Sequence, residues 1–352
     1  MNPTLPSDME SIAAVQAETE SKILDLPNVV GVAIGTKFKG DDDTGEPCLT
    51  ALVAAKLDPA FLSKDDLVPK KVKDVVTDVV ETGHLFAGDI SPEGAPVWES
   101  PDSVSSEEST DYSPMDGSDA LAATSVTLRN RVRPAMGGYS VGHYRVTAGT
   151  IATCCYDLSP FPSIPGRYYI LSNNHVLANS NNSRIGDPIL QPGRFDGGTY
   201  PGDLIGRLTR YVPIKFHTPT TRPLNYVDAA IAEGNFHDLS REVYWGGYVK
   251  DLYTAPKVND IVQKTGRTTG FTTGKVTNIN GTVDVNYGSG RIARFRNQII
   301  TTRMGAPGDS GSLVMNRDEA AMGLLFAGSS TRTIINNILL VQLLLKVRLH
   351  EK

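Results

Sequence analysis

At 352 residues with 40% hydrophobic content, the chain has the make-up of a globular protein long enough for two or three domains. No apolar run approaches the roughly 18 residues that cross a bilayer, so no membrane association is expected. The formal charge of −5 divides unevenly: residues 1–128 carry 8 Lys+Arg against 24 Asp+Glu (−16) and residues 129–352 carry 26 against 15 (+11), the basic ones scattered rather than clustered with aromatics, which argues against nucleic acid as a partner.

In chain order, residues 1–7 lack the basic and apolar regions of a secretory signal. The apolar residues Ile12, Ala13, Val15, Ile23, Leu24 and Leu26 recur at loosely helical spacing, which predicts a helix over residues 9–26. Strands are expected over 28–35, 48–54 and 72–80, with a turn at Asp41-Asp42-Asp43-Thr44-Gly45 and a short helix over 59–67. A helix with three strands makes a small α+β domain over residues 1–85. Nothing in it has catalytic spacing, and Asp41 to Asp43 read as a solvated turn, so no metal or cofactor is expected. Residues 86–125 hold little that could form a core and read as an acidic flexible linker, open to nicking. From residue 126 onward, short strands separated by turns continue to a strongly apolar C-terminal stretch at 333–349, expected as a helix or a strand and helix. The cysteines are Cys48 and the neighbours Cys154 and Cys155. This odd, sparse set predicts a reducing, cytoplasmic setting.

Three motifs carry chemistry. Gly308-Asp309-Ser310-Gly311 suits a serine held on a tight loop whose backbone N–H groups point into one small volume. A serine hydroxyl is a weak nucleophile unless a base takes its proton and a third group orients that base. Leu171-Ser172-Asn173-Asn174-His175 ends an apolar run on a histidine, and Tyr226-Val227-Asp228-Ala229-Ala230 starts a strand with an aspartate. The order His175, Asp228, Ser310, at separations of 53 and 82 positions, is more specific than any one motif. His84, His143, His217, His237 and His350 sit in contexts that suit solvated or structural roles.

At these residues the chain resembles the chymotrypsin/trypsin-fold serine proteases. The stretch Arg267-Thr268-Thr269-Gly270-Phe271-Thr272-Thr273-Gly274 is similar to bacterial members of that fold. The resemblance covers residues 126–352 and implies a mainly β protein of two six-stranded antiparallel β-barrels with a C-terminal helix, preceded by the α+β domain. It implies that Ser310 is the nucleophile, His175 the general base and Asp228 its orienting partner, and that the amides of Gly308 and Ser310 form an oxyanion hole. It places Met304, six positions before Ser310, at the base of a substrate pocket lined by Leu325, Phe326 and Ala327, which suits an apolar or small residue. No freed apolar N-terminus precedes Gly137, so Asp309 must find another partner. A looser similarity to plant narrow-leaf type trypsin-like proteins implies cleavage of protein or peptide substrates by a homo-oligomer. The expectation is therefore an intracellular serine endopeptidase regulated by its acidic N-terminal part, with a non-cleaving, partner-binding scaffold as the alternative.

Overall fold

Runs of β-branched residues punctuated by glycine fold as strands nearly throughout, and the computed structural model is mainly β. It describes residues 5–7, 9–40, 42–88, 127–146, 148–158 and 166–350; the expected linker lies outside these from residue 89 onward. An eight-stranded sheet runs in the order Val347–Arg348, Thr153–Asp157, Tyr168–Ser172, Ala230–Gly234, Leu204–Tyr211, Pro188–Leu190, Ser140–His143 and Gly149–Thr150. Its inward residues, among them Val141, Ile170, Val176, Ile189 and Leu208, form one apolar core. A three-stranded sheet joins Gly247–Tyr248, Leu239–Val243 and Ala135–Gly137.

The second large sheet has thirteen strands, and its composition departs from the expectation of six. The long hairpin Gly270–Asn286 and Ile292–Thr302 lies at its centre, beside Ile261–Gly266, Leu313–Asn316, Ala320–Gly328 and Arg332–Asn337. The N-terminal strands complete it. Val29–Lys39 pairs antiparallel with Gly270–Asn286, Gly31 opposite Val283 and Ile34 opposite Ile279, and then with Asp42–Val53 on its other side. The first 85 residues thus contain the expected helix and strands, but their sheet is continuous with that of the second half. Val32, Ile34, Leu49 and Val276 share one core with Met304 and Val314, and each buried aliphatic side chain of this kind contributes roughly 1.5–3 kcal/mol.

The helix Glu10–Leu24 covers this junction with polar contacts. The Gln16 side chain donates to the Asn280 carbonyl at 2.9 Å and accepts from the Asn280 amide at 3.0 Å. Thr282 donates to Glu20 at 2.9 Å, and Glu20 also pairs with Arg296. Among these contacts Glu20–Arg296 is the ion pair and is partly buried; the others are hydrogen bonds. The region expected as a short helix over 59–67 has only the single turn Pro59–Phe61, and the third strand is split into Lys71–Val72 and Val75–Glu81.

The C-terminal stretch forms the strand Arg332–Asn337, the helix Ile338–Leu345 and the strand Val347–Arg348. That last strand pairs with Thr153–Asp157 of the eight-stranded sheet. Ile338, Val341 and Leu345 pack with Tyr169, Leu171, Leu313 and Leu324, so this helix fills the seam between the two large sheets. The catalytic candidates lie along the same seam.

Candidate active site

His175 sits in the four-residue helix Asn174–Leu177, just after the strand Tyr168–Ser172, and Asp228 stands two positions before the strand Ala230–Gly234 that pairs with it. Because the two strands are neighbours with Ser172 opposite Ala230, the residues just beyond their paired ends meet. His175 Nδ1 is 2.7 Å from Asp228 Oδ2, and the His175 backbone N–H donates to Asp228 Oδ1 at 3.1 Å. The carboxylate is fully buried. It also accepts from the Tyr287 hydroxyl at 2.7 Å, while the Asp228 backbone N–H donates to Asn336 Oδ1 at 2.6 Å and its carbonyl accepts from the Asn173 side chain at 2.7 Å. Burial, reinforced by the neighbouring carboxylate, pushes the Tyr287 phenol well above its ordinary range, so it stays a neutral donor.

With Nδ1 facing a carboxylate, the proton belongs on Nδ1 and Nε2 carries the lone pair. Nε2 is buried and has no hydrogen-bond partner among the described residues. The ring edge that bears it faces Gly88, since a Cβ built there would lie 3.6 Å from His175 Cδ2. Gly88 and Ser310 line one cavity of about 40 Å³, together with Gly305, Ala306, Pro307, Leu325, Ala327 and Thr333. Gly88 thus lies between the His175 ring edge and the cavity that Ser310 lines.

The serine loop is shaped by its sequence. The Asp309 N–H donates to the Ala306 carbonyl at 3.0 Å across Pro307-Gly308, and Gly308 has φ +93°. This is the turn in which proline presets the first central residue and glycine supplies the positive φ of the second. The loop is pinned from the other half by Thr150, whose N–H donates to the Ser310 carbonyl at 2.8 Å and whose hydroxyl donates to the Gly308 carbonyl at 2.9 Å. With those carbonyls bound, the Gly308 and Ser310 amide N–H groups have no acceptor among the described residues.

Asp309 answers the question its sequence context raises. It is fully buried and pairs with the equally buried Lys264 at 3.2 Å. It also accepts from the N–H groups of Thr268 (2.9 Å), Thr269 (3.2 Å) and Ala306 (3.0 Å), and from the Thr269 hydroxyl at 2.6 Å. Burial pushes the Lys264 ammonium below its usual range while Asp309 counters the shift. Next to it, Arg267 forms a buried ion pair with Asp196 and ties the second half to the first.

Gly311 lets the serine loop approach the other half closely. A Cβ there would lie 2.1 Å from Ser172 Oγ and 2.3 Å from the Thr150 carbonyl, and its φ is +97°. Gly311→Ala is expected to cost about 2–3 kcal/mol through overpacking and backbone strain, seen as a lower midpoint in thermal denaturation. An unchanged midpoint would show that the two halves do not meet at this point.

Of Met304, Leu325, Phe326 and Ala327, expected around a substrate pocket, Leu325 and Ala327 line the cavity beside Ser310. Met304 and Phe326 do not. Met304 is buried among Val276, Val314 and Leu325, and its neighbour Gly305 faces the cavity instead; Phe326 packs against Phe295 at 4.8 Å between ring centroids. Alternation along extended backbone sends each to the core side. His143 is buried, accepts from the Arg145 N–H and lies 3.1 Å from Asp187, a structural role. Sequence reasoning missed Lys264, Tyr287, Asn336 and Thr150, since each acts through a contact far away along the chain.

No protein-family model and no curated protein matches the sequence. Among solved structures, Protease A of Thermobifida fusca is 15% identical with a TM-score of 0.43, over 61% of this chain and 97% of that one. The chymotrypsin of Cellulomonas bogoriensis is 18% identical with a TM-score of 0.41, over 62% and 98%. The Nocardiopsis protease is 17% identical with a TM-score of 0.42, over 61% and 98%. In structure, the chain is similar to bacterial serine proteases of the chymotrypsin/trypsin fold.

Proposed function

We propose that the protein is a serine endopeptidase that cleaves protein or peptide substrates through an acyl-enzyme intermediate. The observation that carries this is the buried Asp228–His175 pair, whose unpartnered Nε2 lies on the ring edge that faces Gly88, a residue lining one cavity with Ser310. Ser310 Oγ attacks the substrate carbonyl as His175 Nε2 takes its proton, and Asp228 holds the imidazole in the required tautomer and stabilises its cation. The oxyanion that forms accepts from the Gly308 and Ser310 amides, each such donor being worth about 3–4 kcal/mol in related chemistry. His175 then protonates the leaving amine, and a water molecule deprotonated by His175 hydrolyses the ester. The small cavity bounded by Ala327, Leu325 and Thr333 favours a small or apolar residue on the acyl side.

Labelling with a fluorophosphonate, which reacts with activated serine hydroxyls, tests the reading. Ser310 is expected to be modified, as peptide mapping by mass spectrometry would show, and the modified protein to lose hydrolysis of a peptide library. An unlabelled Ser310 in folded protein would leave the non-cleaving scaffold instead.

A further inference from the structure

The carboxylate beside His175 is itself held by a side chain from the other half of the molecule. Asp228 is fully buried, and among the described residues no lysine or arginine pairs with it, so its charge is met by hydrogen bonds. Oδ1 accepts from the His175 backbone N–H at 3.1 Å. Oδ2, the oxygen that faces His175 Nδ1 at 2.7 Å, also accepts from the Tyr287 hydroxyl at 2.7 Å. Two donors thus share one oxygen, and the phenol exchanges no proton in the proposed hydrolysis.

Tyr287 is firmly seated. It follows the strand Gly270–Asn286 at the end of the long hairpin, where its N–H donates to the Arg291 carbonyl at 2.8 Å across Gly288-Ser289-Gly290, all three with positive φ. Its ring meets Phe216 edge to face with 5.5 Å between centroids, stacks on Phe295 at 6.2 Å and stands edge to face with the His175 ring at 6.1 Å. Leu85, Ala87, Ile214 and Val285 belong to the same buried core and bring no charge to it. Besides His175 and Asp228, the charged group acting on the phenol is Arg291, which donates to the Tyr287 carbonyl at 3.3 Å and lies over Phe216.

We infer that Tyr287 is a positioning residue for hydrolysis at Ser310: acting through Asp228, its hydroxyl keeps Oδ2 in line with His175 Nδ1 and draws part of the carboxylate's charge onto itself. The inference rests on the peptidase reading above and adds a control on its base. A carboxylate in a water-free site turns and shifts unless several donors fix it, and the imidazole follows it. The hydroxyl also sets how strongly the carboxylate acts on the ring. A carboxylate that keeps its whole charge attracts an imidazolium more strongly, so removing the hydroxyl extends protonation of the base to higher pH.

Tyr287→Phe removes one oxygen and keeps the ring, and the test measures it in the full-length protein on a peptide that the parent cleaves. On the alkaline plateau kcat is expected to fall about 10- to 100-fold, short of the roughly 10⁴-fold that loss of an orienting aspartate costs in related chemistry. KM should change by less than about twofold. The acid limb of kcat/KM, where the base is protonated, should move up by about half to one pH unit. Val283→Ala loosens the same core without removing a donor from Asp228, and is expected to melt lower while keeping the parent's kcat and acid limb. A Tyr287→Phe with the parent's kcat and acid limb would overturn the inference and leave the peptidase reading standing. So would a kcat loss that comes with a fallen melting temperature and an unmoved acid limb, or a Val283→Ala that reproduces both effects. Parent protein that cleaves no peptide and is not labelled at Ser310 by a fluorophosphonate would remove both readings.

Discussion

Replacing Ser310 by alanine is expected to lower peptide hydrolysis by roughly 10⁴- to 10⁶-fold with little change in thermal stability, because the substitution removes one oxygen from a loop held by other contacts. The Pro307-Gly308 turn, the two Thr150 bonds and the Lys264–Asp309 pair do not involve the Ser310 hydroxyl. His175→Ala should lose a similar amount, since without Nε2 nothing accepts the serine proton. The informative measurement is the combination. If the three groups act as a unit, Ser310→Ala combined with His175→Ala or Asp228→Ala falls scarcely below Ser310→Ala alone. Losses that multiply across the double variants would show that hydrolysis arises elsewhere on the molecule.

The second large effect is expected at Lys264, which touches no substrate. Lys264→Met should destabilise the fold by about 3–5 kcal/mol, the usual consequence of removing one partner from a buried ion pair. Four donors from Thr268, Thr269 and Ala306 still reach Asp309. They place the loss toward the lower end, a fall of roughly 6–12 °C in melting temperature at 2–4 °C per kcal/mol. On the proposed function, activity should fall as well, because Asp309 lies between the Gly308 and Ser310 amides and any shift of its side chain moves both. Adding Asp309→Asn removes the orphaned charge and is expected to recover much of the stability. A double variant as unstable as Lys264→Met would mean that the lysine acts through packing of its stem alone.

What the sequence allowed and what it withheld divide along physical lines. His175, Asp228 and Ser310 stand out because reactive side chains at strand ends and on a glycine-flanked loop have few structural reasons to be there. Lys264 gives no such signal. It sits in Ile261-Val262-Gln263-Lys264-Thr265, where a charged side chain by its type reads as solvent-facing although alternation puts it on the face of the buried Val262, and only the distant Asp309 makes its burial tolerable. Tyr287 and Asn336 are equally silent, since their contacts with Asp228 span 59 and 108 positions. Met304 shows the converse limit: its place in the chain is next to the cavity, but backbone alternation, fixed only on folding, decides whether it or Gly305 faces the cavity. The N-terminal strands were legible as strands, yet nothing local to residues 29–39 specifies that their partner is the hairpin near residue 280. Alternation tells which face of a strand is buried and leaves open which edge it will join.

That pairing bears on how the chain is made. Gly31 meets Val283, a separation of 252 positions, so the first strand is synthesised long before its partner exists. At the usual 5–20 residues per second of synthesis, the wait is roughly 13–50 s. Throughout it, Val32, Ile34 and Leu49 can pack with the helix Glu10–Leu24, but the edge of Val29–Lys39 that will receive Gly270–Asn286 has no ladder partner. An apolar, unpaired edge is what holding chaperones bind and what neighbouring nascent chains join. The early part of this protein thus spends its first moments on the ribosome as an unfinished template, and its yield in a cell depends on how well that edge is shielded until the last third of the chain emerges.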